Sequence, residues 1–230
     1  ALLCVEDRRF YEHSGIDIRS MLRALLADMF HAQVVEGGST ITQQLVKNLF
    51  LTHERTLSRK LKEVWLSSIM EMVFTKDEIL TMYMNEIYLG RFGPAGIYGF
   101  GRASKHFFDK HVPDLTINEA ALLVGLIRAP NIYSPYTHPK MAFVRRNTVL
   151  AVMRDQGKIT STQYDQAVHK PLSVVSFITP SRQAPFFIDH VLSSAGALYP
   201  EDEFLKKGGL RIFTTLDMNM QRTMEEVIES

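Results

Sequence analysis

The sequence predicts a mainly α domain followed by a short segment of mixed α/β character. Three observations carry this. Apolar residues recur at three- and four-residue spacing in most segments before Pro171. Several of these segments open on a Thr or Asp and close near a Gly or before a Pro, the usual start and stop chemistry of helices. Alternating β-branched residues are confined to two stretches after Pro171.

In chain order, Met21, Leu22, Leu25, Leu26, Met29 and Phe30 line one helix. Ser39 or Thr40 caps the next, after Gly37-Gly38. Arg59 to Phe74 places Leu61, Val64, Trp65, Ser68, Ile69 and Met72 on one broad face. Thr75 precedes a helix with Ile79, Leu80, Tyr83, Met84 and Ile87 that stops near Gly90. Arg91 to Gly101, rich in Gly and carrying Pro94, reads as a loop, with helix resuming near Phe100. Thr116 and Glu119 form a capping box for a helix running to Ile127. Met141 to Gln156 is helical and Gly157 closes it. Beyond Pro171, Leu172–Ile178 and Leu210–Thr215 are the strand candidates, Pro180 to Pro185 reads as a linker, and Asp217 caps a last helix.

Composition narrows the function. Of 230 residues, 46% are hydrophobic and 22% charged, enough apolar material for a core and too much for disorder. Lys plus Arg is 26 against 25 Asp plus Glu, so a net charge of +1 gives no reason to expect nucleic acid. The single cysteine, Cys4, excludes an intramolecular disulfide. The eight histidines are scattered without a short metal-binding pair, so no protein-built metal site is expected. No apolar run is long enough to span a bilayer. Ala1 opens inside an apolar stretch, and the expectation is a piece of a longer protein.

Three clusters carry candidate chemistry. Glu6-Asp7 precede Phe10 and His13; a carboxylate beside an aromatic ring in a dry cleft is a candidate proton acceptor, the alternative being an acidic helix N-terminus in water. Gly38-Ser39-Thr40 opening a helix, with Lys47 two turns on, suits an anion such as phosphate, the alternative being a plain helix cap. It is not a Walker A loop, because the Gly-to-Lys spacing is wrong. Arg59-Lys60-Leu61-Lys62-Glu63 sets cations beside a carboxylate, and otherwise reads as a solvated helix face.

In order along the chain, these clusters form a pattern. Glu6-Asp7-x-x-Phe10-x-x-His13-x-Gly15-x-Asp17, Gly37 to Asn48, Arg59-Lys60-x-x-Glu63, Lys76-x-x-Ile79-Leu80-x-x-Tyr83-x-Asn85-x-x-Tyr88-x-Gly90 and Arg145-x-x-x-Val149-Leu150-x-x-Met153 resemble the five motifs of the peptidoglycan glycosyltransferases. This is glycosyltransferase family 51, found in class A, bifunctional penicillin-binding proteins and in monofunctional enzymes. The resemblance covers residues 1–171; Arg128-Ala129-Pro130 and Tyr133 also fit it. Residues 172–230 resemble the linker into a transpeptidase domain. That domain's S-x-x-K and K-T-G elements do not occur in this sequence. Phe107-Phe108-Asp109-Lys110, Ser134 and His138 depart from the family's usual residues, outside the five motifs.

The resemblance implies a lysozyme-like fold and polymerisation of lipid II into β-1,4 glycan, with inversion and release of undecaprenyl pyrophosphate. It implies Glu6 as general base and Glu63 as a supporting catalytic carboxylate. Lys47, Arg59 and Lys60 would balance the pyrophosphate. Asp7, Phe10, Thr40, Gln43, Gln44, Asn48, Tyr83, Asn85, Tyr88 and Arg145 would fill substrate-contact or scaffold positions. No cofactor is required, although a divalent cation, Mg2+ or Mn2+, assists some members. The implied partners are lipid II, the growing strand, the membrane surface and moenomycin-type inhibitors. The implied location is the outer, periplasmic face of the bacterial cytoplasmic membrane, through an N-terminal anchor. The alternatives are a lysozyme-like peptidoglycan hydrolase, which has no need of the cations, and a non-catalytic membrane scaffold, which could dispense with Glu6.

Overall fold

Local capping decides where most helices begin. A computed structural model describes residues 1–23, 38–52, 54, 56–92, 95–175, 184–198 and 212–229. Leu25, Leu26, Met29, Phe30 and Gly37 lie outside the described residues. The described residues divide into two units, 1–90 with 98–175 and 91–97 with 176–230.

The first unit opens on α1 (Leu2–Glu6), and Asp7 leaves the helix with φ −160°. Glu6 therefore stands at a helix C-terminal end, not at the N-terminus that its acidic neighbourhood suggests. Residues 18–23 are helical, opened by Asp17, whose carboxylate accepts from the N–H groups of Arg19 and Ser20. α2 (Ile41–Phe50) starts at Thr40 in a full capping box with Gln43. The Thr40 hydroxyl also donates to the Gly15 carbonyl at 2.6 Å, tying the first loop to this helix.

α3 (Leu57–Val73) is capped by Thr56. Its polarity is inverted. Glu63, Ser67 and Met70 are buried, while Leu61 is 71% exposed, Trp65 65% and Met72 86%. The broad apolar face seen in the sequence thus points outward, and the charged face points into the fold. α4 (Lys76–Glu86) follows, with a Thr75–Glu78 capping box, and packs against α2.

Residues expected to form a loop instead make a hairpin of β1 (Tyr88–Phe92) and β2 (Ala95–Tyr98). Its strands are too short and glycine-rich to show an alternating pattern. Gly99 (φ +79°) follows, where a Cβ would lie 2.6 Å from the Asn85 carbonyl oxygen.

α5 (Phe100–Phe108), α6 (Ile117–Leu126), α7 (Pro139–Asp155) and α8 (Ser161–Val168) complete the first unit. α6 is buried all round from Ala121 to Leu126, as suits a central helix. It opens on the expected Thr116–Glu119 box. Val149, Leu150 and Met153 of α7 are buried in the same core. Arg146 is also buried, but its guanidinium donates to the carbonyls of Val168 and Lys170 and so fastens α7 to the end of α8.

Neither strand candidate is a strand where described. Residues 172–175 and 212–217 have no regular structure, since β-branched residues prefer a sheet only where a partner strand exists. Instead, the Val175 N–H donates to the Phe107 carbonyl at 2.8 Å. The second unit holds α9 (Pro185–Leu198) and α10 (Met218–Glu229). Pro185 belongs to a helix, not to a linker; at the first helical position its missing N–H costs nothing. Asp217 caps α10 as expected, accepting from the N–H of Asn219 at 2.8 Å.

Gly15 carries φ +88°, and a Cβ there would sit 2.9 Å from the Ser67 carbonyl oxygen of α3. The left-handed backbone alone costs a non-glycine residue roughly 1–2 kcal/mol. Gly15→Ala is expected to lower stability by at least about 2 kcal/mol in chemical denaturation, the clash adding to the backbone cost. An unchanged midpoint would contradict this contact.

Candidate active site

Glu6, at the end of α1, faces α2 and α4. Its Oε2 accepts from Gln44 Nε2 at 3.0 Å, and Gln44 Oε1 accepts from the Tyr83 hydroxyl at 2.9 Å. Burial pushes the Glu6 carboxyl above the ordinary carboxylate range. The Gln44 hydrogen bond and the charges of Arg145 and Arg128 oppose that rise, and Asp7 adds to it. The Tyr83 hydroxyl is pushed far up, by burial first and then by Glu6 and Asp7. A carboxylate with raised proton affinity, one oxygen tethered and the other unengaged by any described residue, is suited to take a proton from a substrate.

Asp7 points elsewhere. It is buried, His13 Nε2 lies 3.0 Å from both of its oxygens, and Oδ2 accepts from the Ile41 N–H at 2.9 Å. This carboxylate is itself the anion at the α2 N-terminus. Asp7 and the Thr40 hydroxyl take the Ile41 and Gln43 N–H groups of that terminus, which favours the helix cap over the phosphate site there. Phe10 is buried beneath Lys76, whose Nζ lies 4.5 Å from the ring centroid and donates to Glu71 at 2.7 Å. Thr42 donates to the same Glu71 oxygen. Asp7, Phe10, Thr40 and Gln43 are thus inside the fold, where they hold the first loop against α2.

The cations gather on the inward face of α3. Both oxygens of buried Glu63 are engaged, one by Arg59 at 2.5 Å and the other by Lys60. Lys60 also donates to Ser39 at 2.8 Å, in the loop before α2. Arg59 Nε is buried with no hydrogen-bond partner among the described residues. Lys47, half-buried in the last turn of α2, has no partner among the described residues. Two cations on one carboxylate leave an excess of positive charge on the inward face of α3.

Arg145 of α7 completes the surroundings of Glu6. Its Nε donates to the Gly125 carbonyl at 3.4 Å, and its guanidinium lies 5.9 Å from the Tyr133 ring centroid. A Cβ at position 125 would lie 3.2 Å from the Arg145 side chain, a close approach that would have to give by a few tenths of an ångström. Beside it, Tyr133, Lys140, Met141, Val144, Arg145 and Thr148 line an open pocket of about 420 Å³. The Tyr88 hydroxyl donates to Asn131 at 3.3 Å, and Asn85 is exposed at the end of α4. Asn48 is half-buried on α2.

Most of the predicted residues therefore sort into a base cluster (Glu6, Gln44, Tyr83, Arg145), a cation cluster (Arg59, Lys60, Glu63) and a buried frame, while Lys47, Asn48, Asn85 and Tyr88 belong to none of them. Residue patterns did not reveal Ser39 as a ligand of Lys60, nor Glu71 and Lys76 as the support of Phe10. Ser39 had a signal, since Thr40 alone suffices as the cap and leaves it free.

Residues 1–154 match the family model described as Transglycosylase. Penicillin-binding protein 1A of Aquifex aeolicus (strain VF5) is 44% identical over 229 residues, covering 100% of this chain and 31% of that protein. Penicillin-binding protein 1B of Haemophilus influenzae is 40% identical over 227 residues, covering 99% and 29%. Penicillin-binding protein 1B of Escherichia coli (strain K12) is 42% identical over 228 residues, covering 98% and 26%. A crystal structure of penicillin-binding protein 1A from Haemophilus influenzae aligns over 71% of the chain and 20% of its own, at 25% identity and a TM-score of 0.48. The chain spans about a third or less of the length of these curated relatives. Matched over two thirds of its length and aligned end to end with penicillin-binding proteins, the chain belongs to the transglycosylase family.

Proposed function

We propose that this chain is a peptidoglycan glycosyltransferase that polymerises lipid II. The carrying observation is a half-buried Glu6 tethered by Gln44, with Arg59 and Lys60 gathered separately on Glu63. Glu6 takes the proton from the acceptor's 4-hydroxyl. That oxygen bonds to the donor C1 as the C1–oxygen bond to pyrophosphate breaks, inverting the centre. The leaving pair stays on undecaprenyl pyrophosphate, and Lys47, Arg59 and Lys60 offset its charge. No general acid is needed for such a leaving group.

A hydrolase would need a second carboxyl to protonate a sugar oxygen. Both Glu63 oxygens already accept from cations, which favours transfer over hydrolysis. No group of three or more metal-ligand side chains is assembled among the described residues. A divalent cation would act on the pyrophosphate, and the derived steps use side chains alone. Gel analysis of products from labelled lipid II tests the reading: a ladder of uncrosslinked glycan supports it, and unchanged lipid II refutes it. Moenomycin-type inhibitors should suppress the ladder.

The chain acts at the membrane surface, on the periplasmic side, as part of a longer protein with a transpeptidase domain. Among the described residues no helix is long and apolar enough to cross a bilayer. Met21 and Leu22 are exposed and face the lipid, and the outward stripe of α3 is a longer apolar patch. Trp65 is the chain's only tryptophan, so it reports on that stripe alone. Anionic phospholipid vesicles should shift its emission to the blue, and brominated acyl chains should quench it. Leu61→Asp should abolish both effects. Emission indifferent to saturating vesicles would remove α3 from the membrane contact.

A further inference from the structure

The geometry points to Tyr83 as a positioning residue for the base: its hydroxyl locks the side-chain amide of Gln44 so that the amide presents N–H, not oxygen, to Glu6. The inference rests on Glu6 being the general base.

A glutamine amide has two orientations of nearly equal shape, and its neighbours choose between them. Gln44 lies between Tyr83 of α4 and Glu6 at the end of α1. Tyr83 is fully buried, and burial beside two carboxyl groups keeps its phenol protonated. The phenolic O–H has to donate, and the acceptor within reach is Gln44 Oε1 at 2.9 Å. That choice sends Gln44 Nε2 to Glu6 Oε2 at 3.0 Å. The N–H favours the ionised carboxylate, against the burial that favours the protonated one. It also occupies one oxygen and leaves the other for a substrate hydroxyl.

The other charges facing Glu6 stay in place when Tyr83 changes. They are Arg145 from α7, Arg128 from the turn after α6, and neighbouring Asp7, which is held by His13 and the Ile41 N–H. Without the Tyr83 hydroxyl, the amide is free to turn. Its oxygen then accepts from protonated Glu6, and the base is held in the form that cannot act. Three motifs, on α1, α2 and α4, would thus share one proton-controlling chain.

The test uses Tyr83→Phe, Gln44→Leu and the double variant. In the pH profile of kcat/KM on lipid II, the acid limb should move up by about one unit in Tyr83→Phe, a tenfold loss below the limb. Gln44→Leu should move it the same way, and the double variant no further, because Tyr83 acts through Gln44. A lower plateau with an unmoved limb would make Tyr83 merely structural, and additive shifts would detach it from Gln44. A second readout needs no catalysis: 13C-detected titration of the Glu6 carboxyl, assigned with Glu6→Gln, should show a higher midpoint in Tyr83→Phe. If the wild type makes no glycan, the proposed function fails, and the titration still decides the relay. An unchanged Glu6 midpoint in both folded single variants overturns it.

Discussion

Glu6→Gln is expected to lower glycan synthesis by about 10²–10⁴-fold, the scale of a positioned general base. The substitution keeps the side chain's volume, and the introduced amide oxygen still accepts from Gln44. Binding of lipid II should therefore persist, as measured by displacement of a labelled inhibitor. Stability should move the other way. The folded protein holds a proton on Glu6 at pH values where the unfolded chain has released it. Stability is thus lost as pH rises from the ordinary carboxylate range through the raised value, and the loss is complete above it. Glu6→Gln removes that loss. Its melting temperature should exceed that of the wild type at pH above the raised value, and the difference should vanish in acid below the carboxylate range. Near-normal turnover would remove Glu6 from the mechanism, and a melting difference independent of pH would contradict its environment.

Lys47→Ala is expected to cost about 2–4 kcal/mol of transition-state stabilisation, the scale of one lost electrostatic contact in a dry site. The structure sharpens this choice among the three cations. Arg59 and Lys60 share Glu63, and removing either also disturbs a buried carboxylate. Lys47 has no described partner, so its loss subtracts charge without breaking an internal pair. The variant's melting temperature should stay close to that of the wild type while kcat/KM for lipid II falls. A rate unchanged under single-turnover conditions would place the pyrophosphate elsewhere.

Much of the helical frame was legible because capping is local. Thr116 with Glu119, Thr40 with Gln43 and Asp217 before α10 each announce a helix within four residues. The hairpin at Tyr88–Tyr98 was not legible, because its pairing depends on backbone geometry at Gly99. The order of motifs identified the site's members but not their duties. Asp7 and Glu6 are adjacent carboxylates, yet one closes a helix end and the other keeps one oxygen unengaged by any described residue. Only burial and partners separate them, and both depend on residues more than thirty positions away. The apolar pattern of α3 was legible too, but a pattern does not say which medium it meets.

That inverted helix has a consequence for kinetics. An α-helix with its side chains is roughly 10–12 Å across. Arg59 and Lys60 lie on one side of α3 and Trp65 on the other, so under the proposed membrane contact the helix is a fixed spacer between lipid and the cations. Buried Glu63 and Ser67 on the inner side, and the Lys60 hydrogen bond to Ser39, hold its rotation against the fold. An enzyme held at such a fixed height searches a plane, not a volume. Its saturation should then follow the mole fraction of substrate among the surrounding amphiphiles. Diluting the whole mixture with buffer should leave the rate per enzyme nearly unchanged, whereas adding empty detergent micelles or bare lipid should lower it.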